Sequence, residues 1–133
     1  EDELATVDVD GEQGSMLRAS RRELSRARVE SPHVRLLPYF DSYLLGHRDR
    51  RHLVSDEHRH RVSRSQGWIA PVVLVDGRVA AVWKHARGRA GLEVEVTPLE
   101  RLARPVVAAI RTEAEELRRF LGADEVQVSV TAG

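Results

Sequence analysis

The sequence predicts an α+β fold: a small antiparallel curved sheet or β-barrel with one long C-terminal helix packed on it. Three observations carry this expectation. Residues 71–75 and 78–84 are apolar runs flanking Asp76-Gly77, a dipeptide suited to a type I′ hairpin turn, whose two central residues both take positive φ. Residues 92–96 alternate Leu-Glu-Val-Glu-Val, so a third strand extends the hairpin into a meander. Beyond Pro98 and Pro105, the residues Val106, Val107, Ile110, Ala114, Leu117 and Leu121 form the apolar stripe of a helix over 104–121, with Gly122 as its C-cap.

The remaining elements follow in chain order. Ala5, Val7 and Val9 share one face of an alternating strand. Gly11-Glu12-Gln13-Gly14 reads as a turn, with residues 15–19 returning as its partner strand. Ser20 is placed to N-cap a helix through Arg28, with Glu23 at the capping-box position, and Ser31-Pro32 ends it. Residues 34–46 are the densest apolar stretch and are expected to be buried on both sides. Pro38 forbids one continuous element there, so a strand over 34–37 followed by an irregular or helical turn is expected. Ser55 or Asp56 can cap a short helix over 57–62, and Val126, Val128 and Val130 alternate as a closing strand.

Composition narrows the function classes. The chain of 133 residues has room for one domain and a flanking piece, and it has no cysteine, so disulfides and thiolate metal sites are excluded. No stretch approaches the apolar length of a membrane span or signal peptide, and a cytoplasmic location with no membrane partner is the expectation. The chain starts at Glu1 without an initiator, and its single methionine, Met16, lies in a strand-like segment; a piece of a longer protein is expected. Lys84 is the one lysine among 21 basic residues, and such arginine usage fits a GC-rich bacterial genome. Net charge is zero but uneven: residues 1–17 hold six acids and no base, whereas residues 18–64 hold twelve Arg against six acids. A basic block of this kind attracts polyanions, or is a solvated face paired with the acidic N-terminal segment.

Three blocks together resemble a known family. They are Leu36-Leu37-Pro38-x-Phe40-Asp41-x-Tyr43-Leu44-Leu45-Gly46-x-x-Asp49-Arg50, then Pro71-x-Val73-Leu74-Val75-Asp76-Gly77-Arg78-Val79 with Trp83, then Arg119-Phe120-Leu121-Gly122. The first fixes eleven positions over fifteen. This pattern resembles the C-terminal region of the bacterial winged-helix DNA-binding family that includes the interstrand crosslink-repair DNA glycosylases. The resemblance implies winged-helix modules upstream, with residues 1–32 as the wing of the last module plus a connector, and 33–133 as a β-barrel-like C-terminal domain. It implies double-stranded DNA as partner through the full-length protein. The glycosylase branch carries a glutamine-containing catalytic motif in its N-terminal part. Gln13, Gln66 and Gln127 are isolated here, so no catalytic residue is carried over. Ala81 stands where the family often has Gly before the hairpin Trp.

Candidate chemistry is sparse. His47, His52, His58 and His60 with Asp49, Asp56 and Glu57 are metal-ligand types, but His58-x-His60 does not share a helix face, so no metal or other cofactor is expected. Asp41 and Asp49 form a conceivable carboxylate pair for acid–base work, and each has a simpler role as a cap or ion-pair partner; with Trp83 they are assigned to the structural motif. Trp83 can stack on a base or pack into the core. Phosphoryl-transfer loops, nucleophile elbows and HExxH are absent from the sequence. Arg48, Arg50, Arg51, Arg59, Arg61 and Lys84 are the candidates for phosphate contact, with Arg50 the one most suited to a structural role. The expected function is that of an accessory domain of a DNA-binding, DNA-repair (glycosylase-like) protein, completing a basic channel while catalysis resides elsewhere. The alternatives are a small-ligand or protein-interaction module with a curved sheet as its binding face, and a hydrolase using Asp41 and Asp49.

Overall fold

The computed structural model describes residues 3–64 and 67–131, so Gln66 lies outside the described residues. The chain divides into two compact units, with the boundary between Glu30 and Ser31.

In the first unit, β1 (Leu4–Val9) and β2 (Glu12–Leu17) form an antiparallel hairpin followed by α1 (Arg18–Arg26). The turn is tighter than the expected 11–14. Asp10 and Gly11 take φ 54° and 86°, and Val9 pairs with Glu12, so residues 12–14 belong to the strand. Two positive φ values are what a two-residue hairpin needs, and Asp-Gly meets that demand better than the polar tetrad after it. The Asp8 carboxylate accepts from Gly11 N at 3.0 Å and closes the tip. α1 starts directly out of β2, with Leu17 at the N-cap and no side-chain cap bond, so the expected Ser20 cap and Glu23 capping box are not formed.

The second unit holds a five-stranded sheet in the order β3 (Val34–Leu37), β4 (Val72–Val75), β5 (Arg78–Gly88), β6 (Gly91–Pro98), β7 (Val126–Val130). The β3–β6 pairs are antiparallel, and Asp76 and Gly77 take φ 52° and 83° at the β4–β5 turn, as expected. Two expectations are corrected. β7 pairs with β6 in parallel, because α4 (Arg104–Leu121) intervenes and carries the chain back along the sheet before the last strand begins. The barrel does not form: among the described residues the sheet runs from β3 to β7 without closing, so it is an open mixed sheet.

The helix matches its expected span, ends at Gly122 in the left-handed region (φ 64°), and packs against β3 and β7. Its Ile110 and Ala114 meet Val34, Val73, Ala81, Trp83, Leu92, Val94 and Val96 in one core cluster. A second cluster joins Val72, Leu74 and Val79 to Leu44, Leu53, Val54, Val62 and Ile69 of the segment between β3 and β4. Among its described residues that segment contains two short α-helices, α2 (Ser42–Leu45) and α3 (Arg59–Val62). The expectation that residues 34–46 are buried on both sides fails in its second half. Tyr39, Phe40, Tyr43 and Leu45 are exposed, because the turn after Pro38 directs only Leu44 inward.

The close approach that allows β7 to add lies at Gly91. A Cβ there would stand 2.4 Å from the Glu125 carbonyl oxygen, the same oxygen that accepts from Leu92 N at 2.8 Å, and φ is +139°. Gly91→Ala is therefore expected to lower stability by about 1–3 kcal/mol in urea unfolding, the usual cost of a non-glycine residue forced into such a conformation. An unchanged midpoint would contradict this close approach.

Candidate nucleic-acid interface

The segment from Asp41 to Ser63 is built outward from four buried side chains. Asp41 accepts from Tyr43 N at 2.8 Å, which caps α2, and Leu44 is fully buried beneath it. The Arg50 Nε donates to the Leu44 carbonyl at 2.7 Å, and the Arg50 carbonyl accepts from Leu53 N and Val54 N at 2.9 Å each. Arg50 thus ties α2 to the next turn. Leu53 and Val54 are buried, and Val79 N donates to the Leu53 carbonyl at 2.8 Å, which fastens the turn to β5. Val62 buries α3 in the same cluster.

With these apolar groups facing inward, the charged ones face a groove of about 500 Å³. Its walls carry Arg48, Arg50, Arg51 and Arg59 with Asp49 and Asp56, over a floor of Val54, Val62 and Ser63. Arg51 Nε donates to Asp49 Oδ2 at 2.7 Å, and Arg51 N donates to Asp49 Oδ1 at 2.9 Å. Arg59 meets Asp56 at 2.6 Å. Arg48 has no acidic partner among the described residues. These ion pairs are solvent-exposed, so their attraction is screened and an incoming phosphate can compete for the guanidinium groups.

The other sequence candidates lie elsewhere. Arg61, on α3, does not line the groove. Lys84 projects from β5 and pairs with Glu95 of β6 at 3.1 Å. Trp83 is 7% exposed, and its Nε1 donates to the Leu37 carbonyl at 2.9 Å, so its indole is part of the core. The carboxylates of Asp41 and Asp49 are each engaged locally, Asp41 in the cap of α2 and Asp49 with Arg51. Among the described residues no three His, Asp or Glu side chains converge on a common point suited to a metal ion. His47 and His52 meet edge to face at 4.6 Å, and His58 faces Glu100 at 3.6 Å.

The sequence reading missed two features. Asp76 does more than turn a hairpin: its carboxylate accepts from His33 N at 2.8 Å and from Ser31 Oγ at 2.7 Å, and these bonds, the His33 N–H first, hold its pKa below the usual carboxylate value. The second feature is a cluster of exposed rings, Tyr39, Phe40 and Trp68, beside the polar segment. The pairing of Tyr39-Phe40 with Pro38 was a signal that the turn could face either way.

The family described as "DNA glycosylase AlkZ-like" matches residues 1–120, and the chain belongs to that family. It is 39% identical over 130 residues to an interstrand DNA cross-link repair glycosylase from Streptomyces sahachiroi, a match covering 97% of this chain and 34% of that protein. The solved structure of the Streptomyces sahachiroi DNA glycosylase AlkZ superposes with a TM-score of 0.82 at 39% identity, over 98% of this chain and 34% of that one. The chain therefore spans about a third of the length of the relative it matches.

Two outcomes follow from the local bonding. Asp41→Ala is expected to lower stability by about 1 kcal/mol in thermal or urea unfolding, the usual value of an N-cap side chain, and Asp41→Asn to restore most of it. Wild-type stability in the alanine variant would remove the capping role. Asp49 is lowered from 3.8 to about 2, first by its side-chain bond with Arg51 and then by the backbone N–H of the same residue. Because the folded value is the depressed one, the link contributes above pH 4 and is lost as pH falls toward 2. A carboxyl chemical-shift titration should show a midpoint near 2 for Asp49, rising in Arg51→Ala; equal midpoints would contradict the pairing.

Proposed function

We propose that this chain is the accessory C-terminal part of a DNA-repair glycosylase-like protein, contributing a basic wall to a channel for double-stranded DNA. The observation that carries this is the groove of Arg48, Arg51 and Arg59 in a chain that matches a third of a DNA glycosylase. In this reading residues 1–32, which include the β1–β2 hairpin, are the wing of a winged-helix module with its connector, and further winged-helix modules precede it. Base excision is performed by residues outside this chain, and the protein works in the cytoplasm. No helix among the described residues is long and apolar enough to cross a membrane.

The physical role of the groove is to position the duplex. Guanidinium groups neutralise phosphates and release condensed counterions, a contribution blind to base sequence. Arg50 is the exception within the groove: its Nε is committed to the Leu44 carbonyl, so it holds the wall in shape. A cleft of about 300 Å³ lined by Leu53, Val79, Leu99, Leu102 and Val106, with Arg78 and Glu100, is the observation favouring a small-ligand module instead. It is at the small end of ligand-sized cavities.

Binding of the chain to duplex DNA is expected to be weak, sequence-independent and salt-sensitive. With a slope of about −0.9 per neutralised phosphate, a few Arg contacts give a log–log salt slope of about −2 to −4. Substituting Arg48, Arg51 and Arg59 together with Ala should flatten it, measured by fluorescence anisotropy from low to physiological salt. Salt-independent binding, or a slope that survives the triple substitution, would leave the groove a solvated face. The chain alone should release no base from alkylated or crosslinked duplex.

A further inference from the structure

Tyr39, Phe40 and Trp68 are 50%, 46% and 42% exposed, yet they touch one another. The Tyr39 and Trp68 ring centroids are 5.1 Å apart at 64°, and those of Phe40 and Trp68 are 5.5 Å apart at 80°. Three of the chain's six Phe, Trp and Tyr residues thus sit together at the surface, although the core has few aromatics to fill it. The steep angles make a corner of rings rather than a closed stack, and all three residues stay exposed.

The corner is held on rigid supports. Phe40 takes φ +55°, a left-handed conformation that an aromatic residue rarely adopts. Asp41, the cap of α2, follows it directly. Trp68 precedes Ile69, which is buried and bridges to Ser63, and the Trp68 carbonyl accepts from Arg64 N at 3.0 Å. Ser63 is also a floor residue of the arginine groove. The corner and the groove are therefore linked through one bridge. Arg64, exposed and without an acidic partner among the described residues, stands at the junction.

We propose that this aromatic corner receives an unpaired nucleobase of DNA whose backbone lies along the arginine groove. The inference rests on the DNA-binding role proposed above. A basic track beside exposed rings is the arrangement that binds unstacked bases: the track holds phosphates, and every base has a face that can stack on an aromatic ring. The adjacent Arg side chains favour a polyanion over an apolar protein surface as the occupant. Backbone strain kept at an exposed aromatic residue, where glycine would fit without cost, is a second mark of a binding position.

The test uses the chain with fluorescein-free oligonucleotides, read by intrinsic emission, since Trp68 is exposed and Trp83 is 7% exposed. Single-stranded oligothymidylate, a duplex with a single-base bulge, and the fully paired duplex are compared. The bulge and the single strand should quench tryptophan emission more than the paired duplex does. Trp68→Ala, with affinity followed by calorimetry, should weaken the unpaired ligands about tenfold and the paired duplex less than twofold, with an unchanged salt slope. Trp68→Tyr should recover most of the loss. Phe40→Gly relieves the positive φ, so it should keep the melting temperature while losing affinity for the bulge. Equal affinities of wild type, Trp68→Ala and Phe40→Gly for the bulge, with Arg-dependent and salt-dependent binding intact, would overturn the corner alone. Absence of binding to all three ligands would overturn the DNA role with it. If acrylamide quenches Trp68 in this chain but not in the DNA-free full-length protein, the rest of the polypeptide covers the corner, and the proposal is wrong.

Discussion

Val72, Val73 and Leu74 of β4 point alternately to opposite sides of the sheet, and all three are buried. A strand apolar on both faces needs cover on both faces, and this need organises the second unit. On one side α4 supplies it with a regular amphipathic stripe. On the other, residues between β3 and β4 must do so without a long helix, and they use isolated anchors: Leu44, Leu53, Val54, Val62 and Ile69. Between anchors the chain has to turn outward, and what it shows to solvent there is arginine and aromatic rings. The groove and the aromatic corner are thus the outer surface of a core patch, fixed as firmly as the anchors beneath them.

The sequence was most legible where local periodicity and long-range packing agree. The span of α4, the Asp76-Gly77 turn and the strand over 34–37 needed only a stripe, a turn dipeptide and a proline. It was least legible where the outcome depends on partners distant in the chain. The alternation of residues 126–130 announces a strand but carries no information on direction; the parallel pairing follows from the path of α4. Similarly, Asp10-Gly11 and the stretch 11–14 both offer turn residues, and the pairing of Val9 with Glu12 selects the first.

For the interface, residue type was readable and placement only partly so. Arg48, Arg51 and Arg59 come together because the buried Leu53 and Val54 between them, and Val62 beyond Arg59, fix which way each turn faces. Arg61 and Lys84 share the same charge but are positioned by α3 and by β5, and neither lines the groove. The dense apolar motif misled in a different way. Hydrophobicity argued that Tyr39 and Phe40 belong inside, whereas Pro38 and the cap at Asp41 force a turn that turns them out. Hydrophobic density shows that a segment meets a core; it does not show which of its residues do.

The sheet that stays open has a consequence at its rim. In a closed barrel every strand has two neighbours, while here β7 has only β6 among the described residues. Val126-Gln127-Val128-Ser129-Val130 carries neither charge nor proline, the usual means by which an outermost strand discourages further pairing. α4 packs against one face of this strand and leaves its outer edge unpaired among the described residues. The rim of the sheet is therefore a short, uncharged edge on which a further strand can pair. The site at which this molecule can add a strand is thus a strand that takes no part in the groove.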